Sequence, residues 1–182
     1  MTIASPAMLQ SVIAQARIAS PLGTMLLART ERGLAGAWFE QQKHHPGAID
    51  APEHGDDPLL AATARQLRDY FAGAVCEFDV PLDLQGSAFQ RAVWQALLRI
   101  EPGATASYGA IARELGVPAA SRAVGAAVGR NPVSIIVPCH RVVGSAGALT
   151  GYAGGLERKA SLLRIEAERA GRRREARQLE LH

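Results

Sequence analysis

The run YGAIARELGVPAASRAVGAAVGR, Tyr108 to Arg130, decides the fold of the C-terminal half. Ile111, Ala112 and Leu115 share one helical face, and Gly116 stops that pattern. Only Gly116-Val117 separates it from a second helical pattern, Pro118–Val128. A helix, a short glycine-containing turn and a second helix form a helix-turn-helix. The second helix is thin: Ala119, Ala120, Ala123, Gly125, Ala126, Ala127 and Gly129 leave it slender on nearly all sides. Such a helix either packs tightly on its neighbour or approaches another surface closely, and composition alone admits both. Upstream, Ser87 caps a helix carrying Phe89, Val93, Trp94, Leu97 and Leu98, which ends before Pro102-Gly103. Downstream, Asn131-Pro132 breaks the chain, Ser134–Val137 reads as a short buried strand, and Val142–Gly155 is a glycine-rich loop. Leu156–Ala167 reads as a helix. The segment from Glu168, with Arg169, Arg172, Arg173, Arg174 and Arg177, reads as a frayed or disordered tail.

The first half has a different period. Val12–Ser20, Thr24–Thr30 and Leu34–Phe39 are apolar or alternating, and Pro21-Leu22-Gly23 and Glu31-Arg32-Gly33 punctuate them as a meander of hairpins. After a polar loop, Pro58 opens a helix with Leu59, Leu60, Thr63, Leu67, Tyr70 and Phe71 at helical spacing, stopped by Gly73. Cys76–Leu82 reads as a further strand and Pro81–Gly86 as a linker. The expected fold class is therefore an α/β N-terminal domain, 1–85, followed by a mostly α C-terminal domain with a helix-turn-helix, 86–170, and a charged tail, 171–182.

With 182 residues, 48% hydrophobic, 20% charged and a mean hydropathy of +0.01, the chain is neither disordered nor a membrane protein by composition. No uncharged apolar stretch approaches the ~20 residues that span a bilayer. The start, MTIASPAMLQSVIAQAR, lacks a basic segment followed by a long apolar run, so no signal peptide is expected and the cytoplasm is the expected compartment. Two cysteines, Cys76 and Cys139, exclude a disulfide framework and a multi-cysteine zinc site. Cys76 reads as a core residue, His44, His45 and His54 as exposed loop histidines, and no metal is expected. The net charge of +3 conceals an asymmetry: residues 1–86 carry 6 basic and 10 acidic groups, residues 87–182 carry 14 and 7. A basic C-terminal half suits a polyanionic partner. Of the 20 cations 18 are arginine, which grips phosphate bidentately.

The chemistry-bearing stretch is Ile135-Ile136-Val137-Pro138-Cys139-His140-Arg141-Val142-Val143. Cationic neighbours favour a thiolate at Cys139. His140 can take the thiol proton directly or through a water, and a carboxylate can orient that histidine. Adjacent residues of an extended segment face opposite ways, so direct Cys139–His140 contact would need a bend. The plain alternative is a buried, inert cysteine.

Pro138-Cys139-His140-Arg141-Val142 resembles the signature of the O6-alkylguanine-DNA alkyltransferases. Asn131-Pro132-Val133, Gly151-Tyr152-Ala153-Gly154-Gly155-Leu156, the segment from Lys159 to Glu166, Phe89 to Trp94 and Ser107-Tyr108-Gly109 resemble that family in order and spacing. The resemblance is strong over 86–167 and looser over 1–85. It implies that Cys139 accepts an alkyl group irreversibly, with His140 as water-mediated base, Glu166 as its orienter and Asn131 placing the network. It implies that Tyr108 helps neutralise the departing guanine, and that Val142, Tyr152, Ala153 and Gly154 wall the base pocket. Family members often carry serine where Ala153 stands, but the backbone N–H used there is kept. The thin helix then resembles a minor-groove recognition helix, with Ser121, Arg122, Ala123 and Ala126 on DNA and Arg122 replacing the flipped nucleotide. The implied partner is double-stranded DNA containing alkylated guanine, with O4-alkylthymine as a second substrate, met by a monomer with no cofactor and no obligate protein partner. Two other readings stay open from the residues: a non-catalytic helix-turn-helix regulator, and a cysteine hydrolase with a Cys/His/Glu triad.

Overall fold

The computed structural model describes residues 9–75 and 77–179; Met1 to Met8, Cys76 and residues 180–182, and with them the expectation for Cys76 and the start of the N-terminal reading, lie outside it. Three antiparallel strands, β1 (Ala14–Ile18), β2 (Met25–Thr30) and β3 (Gly33–Phe39), form the meander, paired Ile18 to Met25 and Met25 to Phe39. β3 is buried along its whole length because its outer edge is covered. The Leu34 N–H donates to the Pro81 carbonyl at 2.8 Å, and the Ala37 N–H to the Pro132 carbonyl at 2.9 Å. The Ser134 N–H returns to the Ala37 carbonyl at 2.8 Å. An edge strand covered this way is not an open template for pairing with another chain. Gly36 is required here: a Cβ would sit 1.8 Å from the Trp38 ring, which folds back over it.

Helix α1 (Pro58–Phe71) is capped by the Asp57 carboxylate, which accepts from the Leu59 and Leu60 N–H groups and pairs with Arg29 at 3.0 Å. Its buried stripe, Leu60, Thr63, Ala64, Leu67 and Tyr70, lies on the sheet. The C-terminal half is helical, as expected: α2 (Ala88–Leu97), α3 (Tyr108–Glu114), α4 (Ser121–Gly129) and α5 (Leu156–Leu179). Ser87 and Gln90 form a reciprocal capping box on α2. Val93, Trp94, Ala96 and Leu97 are buried, but Phe89 and Leu98 are 36% and 39% exposed, so only the middle of the expected apolar face is core. Short strands β4 (Ala106–Ser107) and β5 (Val142–Val143) pair in parallel.

Several local expectations are corrected. Glu77 to Pro81 is not a strand; Leu82 makes one isolated bridge, to Leu34. The helix-turn-helix connection enters α4 through a single 3-10 turn, Pro118–Ala120. Ser134–Val137 is not a strand but a tight turn: Ser134 bridges Val137, and Ile135 sits at φ 73°. A β-branched residue there costs roughly 1–3 kcal/mol, held by the surrounding packing; Ile135 is 1% exposed. Finally, α5 does not end at Ala167. It continues to Leu179, through alanine, arginine and glutamate of high helix propensity interrupted only by Gly171 among residues 168–174, with Ala170 beside Gly103 and Arg172 reaching Gly73. Among the described residues no helix is long and apolar enough to cross a membrane.

Candidate active site

The tight turn delivers Pro138 into a 3-10 turn, Cys139–Arg141. That turn is the bend that extended geometry lacked, and it sends Cys139 toward Asn131 while His140 and Arg141 both reach Glu166. Asn131 fixes the entry. Its side-chain amide donates to the Val137 carbonyl at 2.8 Å and to Cys139 Sγ at 3.0 Å, while its oxygen accepts from the Val133 N–H at 3.0 Å. Asn131 is thus fully used, and the sulfur is held by a donor.

His140 and Arg141 turn to Glu166 on α5. His140 Nε2 lies 2.8 Å from Glu166 Oε1. Arg141 donates through Nε to Oε2 and through Nη2 to Oε1, both at 2.9 Å. The Gly103 N–H adds a bond to Oε2 at 3.0 Å, and the Tyr70 hydroxyl one to Oε1 at 2.9 Å. Five donors surround a carboxylate whose side chain is inaccessible. Burial would raise its pKa, but the His140 and Arg141 bonds and charges overcome that and hold it far below the usual carboxylate range. With the carboxylate on Nε2, the proton of neutral His140 belongs there, leaving Nδ1 as the basic atom. Nδ1 is buried and has no hydrogen-bond partner among the described residues. Burial keeps the ring below its ordinary pKa despite Glu166, which favours its neutral form.

This arrangement corrects one expectation. Cys139 is 4% exposed, and burial pushes its thiol up to about 11. The Asn131 bond and the Lys159 charge pull the other way without winning. The Arg141 charge that was to favour a thiolate is spent on Glu166. Burial therefore favours the thiol over the thiolate at Cys139.

Tyr108, at the start of α3, donates to the Thr150 and Gly151 carbonyls at 3.3 and 3.4 Å. Burial, with a smaller push from Cys139, raises its pKa, so it keeps its proton. Burial and Cys139 likewise raise Tyr152. Tyr108, Tyr152 and Ala153 line a cavity of about 390 Å³, whose far side is Gly125, Ala126 and Gly129 of α4. Val142, fully buried, and Gly154, packed under the Tyr152 ring, stand behind this wall rather than on it. On α4, Val124, Ala127 and Val128 are buried, with the Ala127 carbonyl accepting from Trp94 Nε1 at 2.9 Å, while Arg122, Ala123 and Ala126 are exposed and Ser121 half-buried. One face of the thin helix is thus packed against its neighbours, and the other is open to solvent. Glu114 is occupied by Arg99, and among the described residues no ion pair involves Arg122.

Sequence reasoning missed three contributors. Tyr70 lay in a helical apolar stripe and read as core. Arg141 read as a charge beside the sulfur. Lys159 is wholly buried, its ammonium donating to the carbonyls of Val142 at 2.5 Å and Thr150 at 2.6 Å. It ties the Cys139 turn to the Tyr152 loop. One of only two lysines in a chain that has 18 arginines was the available signal. Among the described residues no three His, Cys, Asp or Glu side chains gather as metal ligands.

Comparison with known proteins places the chain in a family. Residues 13–84 match the family model described as 6-O-methylguanine DNA methyltransferase, ribonuclease-like domain, and residues 88–178 match its DNA binding domain. The methylated-DNA–protein-cysteine methyltransferase of Mycolicibacterium paratuberculosis is 48% identical over 147 residues, 81% of this chain and 88% of that one. That of Methanosarcina acetivorans is 48% identical over 149 residues, 81% and 94% of the two chains. The crystal structure of Mycobacterium tuberculosis OGT in complex with DNA superposes with a TM-score of 0.80 at 45% identity, covering 86% of this chain and 94% of that one. Two matched domains in this order, and relatives aligned over nearly their whole length, lead to one conclusion: the chain belongs to the 6-O-methylguanine DNA methyltransferase family.

Proposed function

We propose that this protein repairs DNA by moving an alkyl group from O6-alkylguanine in duplex DNA onto Cys139, irreversibly and once per molecule. The observation that carries this reading is the buried Asn131–Cys139 contact beside His140, whose Nε2 is held by Glu166 and whose Nδ1 is left without a partner among the described residues. A DNA-binding regulator has no need of that constellation. The alkylated oxygen lies on the base edge inside the stack, so the nucleotide must turn out of the duplex to reach the cavity. Sγ then forms a bond to the alkyl carbon as the carbon–O6 bond breaks. The thiol proton passes to His140 Nδ1 through a water, and the guanine leaving group takes hydrogen-bond or proton support from Tyr108. The Ala153 N–H, on the cavity wall, serves as a donor to the guanine oxygen.

Asn131 and Glu166 are positioning residues in this scheme; Cys139, His140 and Tyr108 handle the reacting atoms and protons. Ser121, Arg122, Ala123 and Ala126 on the open face of α4 meet the minor groove, which is only ~6 Å wide and admits small side chains. Arg122 fills the place of the everted nucleotide. O4-alkylthymine fits the same chemistry. The reaction balances without a cofactor. The protein works as a monomer, in the cytoplasm, as an N-terminal domain to residue 85 and a DNA-binding, alkyl-accepting domain to 170. The test is mass spectrometry after mixing with duplex DNA containing O6-methylguanine. A gain of one methyl group on the Cys139 peptide is expected; an unchanged mass rejects the reading.

A further inference from the structure

The residues assigned to the pocket and to DNA all lie in the C-terminal half, yet one rim of the cavity belongs to the other half. Lys43 and His44, from the turn after β3, line it together with Arg130 at the end of α4. The turn is built rather than loose. The buried Gln42 side chain accepts from the Phe39 N–H at 2.9 Å and from the Ser134 hydroxyl at 3.2 Å. The Lys43 N–H donates to the carbonyl of Ala153 itself at 2.9 Å. Gln41 and His44 both adopt positive φ, at 63° and 68°.

The charges at this rim have no partners. Among the described residues neither Lys43 nor Arg130 forms an ion pair, and Arg130 donates only to the Ala126 carbonyl of its own helix. Both cations act on His44 and, with burial, lower its pKa; no carboxylate offsets them. A second observation is independent of this geometry. The chain has only two lysines among 20 cations. One is the buried Lys159 of the site; the other is Lys43. A compact ammonium binds phosphate as a point charge, beside the forked guanidinium of Arg130.

The geometry points to a phosphodiester-binding subsite formed by Lys43, Arg130 and His44, which holds the backbone of the everted nucleotide on the N-terminal side of the pocket. This rests on the alkyl-transfer reading above, since the base must enter the cavity for its sugar–phosphate to reach this rim. It gives the N-terminal half a part in substrate binding, and it couples that grip to the wall residue Ala153 through one main-chain bond.

The test uses the full chain and the variant Lys43→Ala, which keeps the Lys43 N–H bond, with Arg130→Gln as a second variant. Single-turnover transfer is measured with a lesion-bearing duplex below saturation and with a free O6-alkylguanine base, which has no phosphate. Each variant is expected to lose at least about fivefold more rate on the duplex than on the free base. The slope of log affinity against log salt for lesion-bearing duplex should fall by about 1 per variant, the change expected when one phosphate contact is removed. Equal losses on the two substrates, or an unchanged salt slope, overturn the subsite. Failure of the wild-type protein to methylate Cys139 would instead overturn the alkyl-transfer reading, so the two failures are distinct. Melting temperatures of both variants identify a folding defect, and whichever variant folds decides.

Discussion

Replacing Glu166 with glutamine changes one atom's identity and should be felt in two separate ways. The carboxylate accepts five hydrogen bonds, two of them from Arg141, whose side chain is 5% exposed. An amide nitrogen cannot accept, so one end of the Arg141 fork would meet a donor, and the guanidinium would stay buried without a counter-charge. Breaking a buried pair by removing one partner costs about 3–5 kcal/mol, a large part of the roughly 5–15 kcal/mol that holds a domain folded. At about 2–4 °C per kcal/mol for a chain of this size, the melting temperature should drop by roughly 6–20 °C. Separately, His140 loses the group that fixes its tautomer, and transfer to Cys139 should slow by ~10²–10⁴-fold. The double variant Glu166→Gln with Arg141→Met separates the two effects: without the stranded cation much of the stability should return, while transfer stays slow. The assays are thermal unfolding and single-turnover methyl transfer from duplex DNA, run below each variant's melting range. The stability gap should also narrow as pH falls below the ordinary carboxylate pKa of about 4.3. Because the folded Glu166 pKa is depressed, its contribution is complete above that value and is lost as pH falls toward the folded one. A melting temperature within about 2 °C of wild type, or a double variant that transfers at the wild-type rate, would refute this account of the carboxylate.

Three further outcomes follow from the same geometry. Tyr70→Phe keeps the ring and removes one of the five donors to Glu166; it should cost about 1.5–3 kcal/mol and slow transfer less than Glu166→Gln, and wild-type values for both denaturation and transfer would count against a role. His140 has a folded pKa below its unfolded one, so the stability advantage of the wild type over His140→Gln should shrink as pH falls below about 6.5, where the unfolded chain takes up the proton first; urea denaturation at pH 7.5 and 5.5 checks this, and a constant difference would contradict it. Arg122→Ala should slow repair of duplex DNA far more than reaction with the free base, because everting a nucleotide costs a few kcal/mol; equal losses at saturating protein would remove Arg122 from that step while leaving Cys139 in place.

Much of this molecule is local and therefore readable from the chain. The meander, α1, α2 and the helix-turn-helix follow from apolar period, caps and glycine stops, which act over a few residues. The Cys139 motif and its companions could be found because each is a short string at a fixed spacing. What the chain did not disclose depends on contacts between distant segments. Ser134–Val137 reads as a strand from its apolar residues, but β3 seizes Pro132 and Ser134 from the side and turns the segment back on itself, forcing Ile135 to positive φ. Arg141 sits beside Cys139 in sequence, yet Glu166, 25 positions on, captures it, and with it the charge that was expected to ionise the thiol. Tyr70 and Lys43 lie in a half whose local signals mark elements but no site, and only packing brings one to Glu166 and the other to the pocket rim. The sequence by itself determined which groups could do the chemistry. The tertiary structure decided which of them are buried and which charges cancel, and hence that burial favours the thiol of Cys139 and the neutral ring of His140, because burial and Coulomb energies depend on distances in space rather than along the chain.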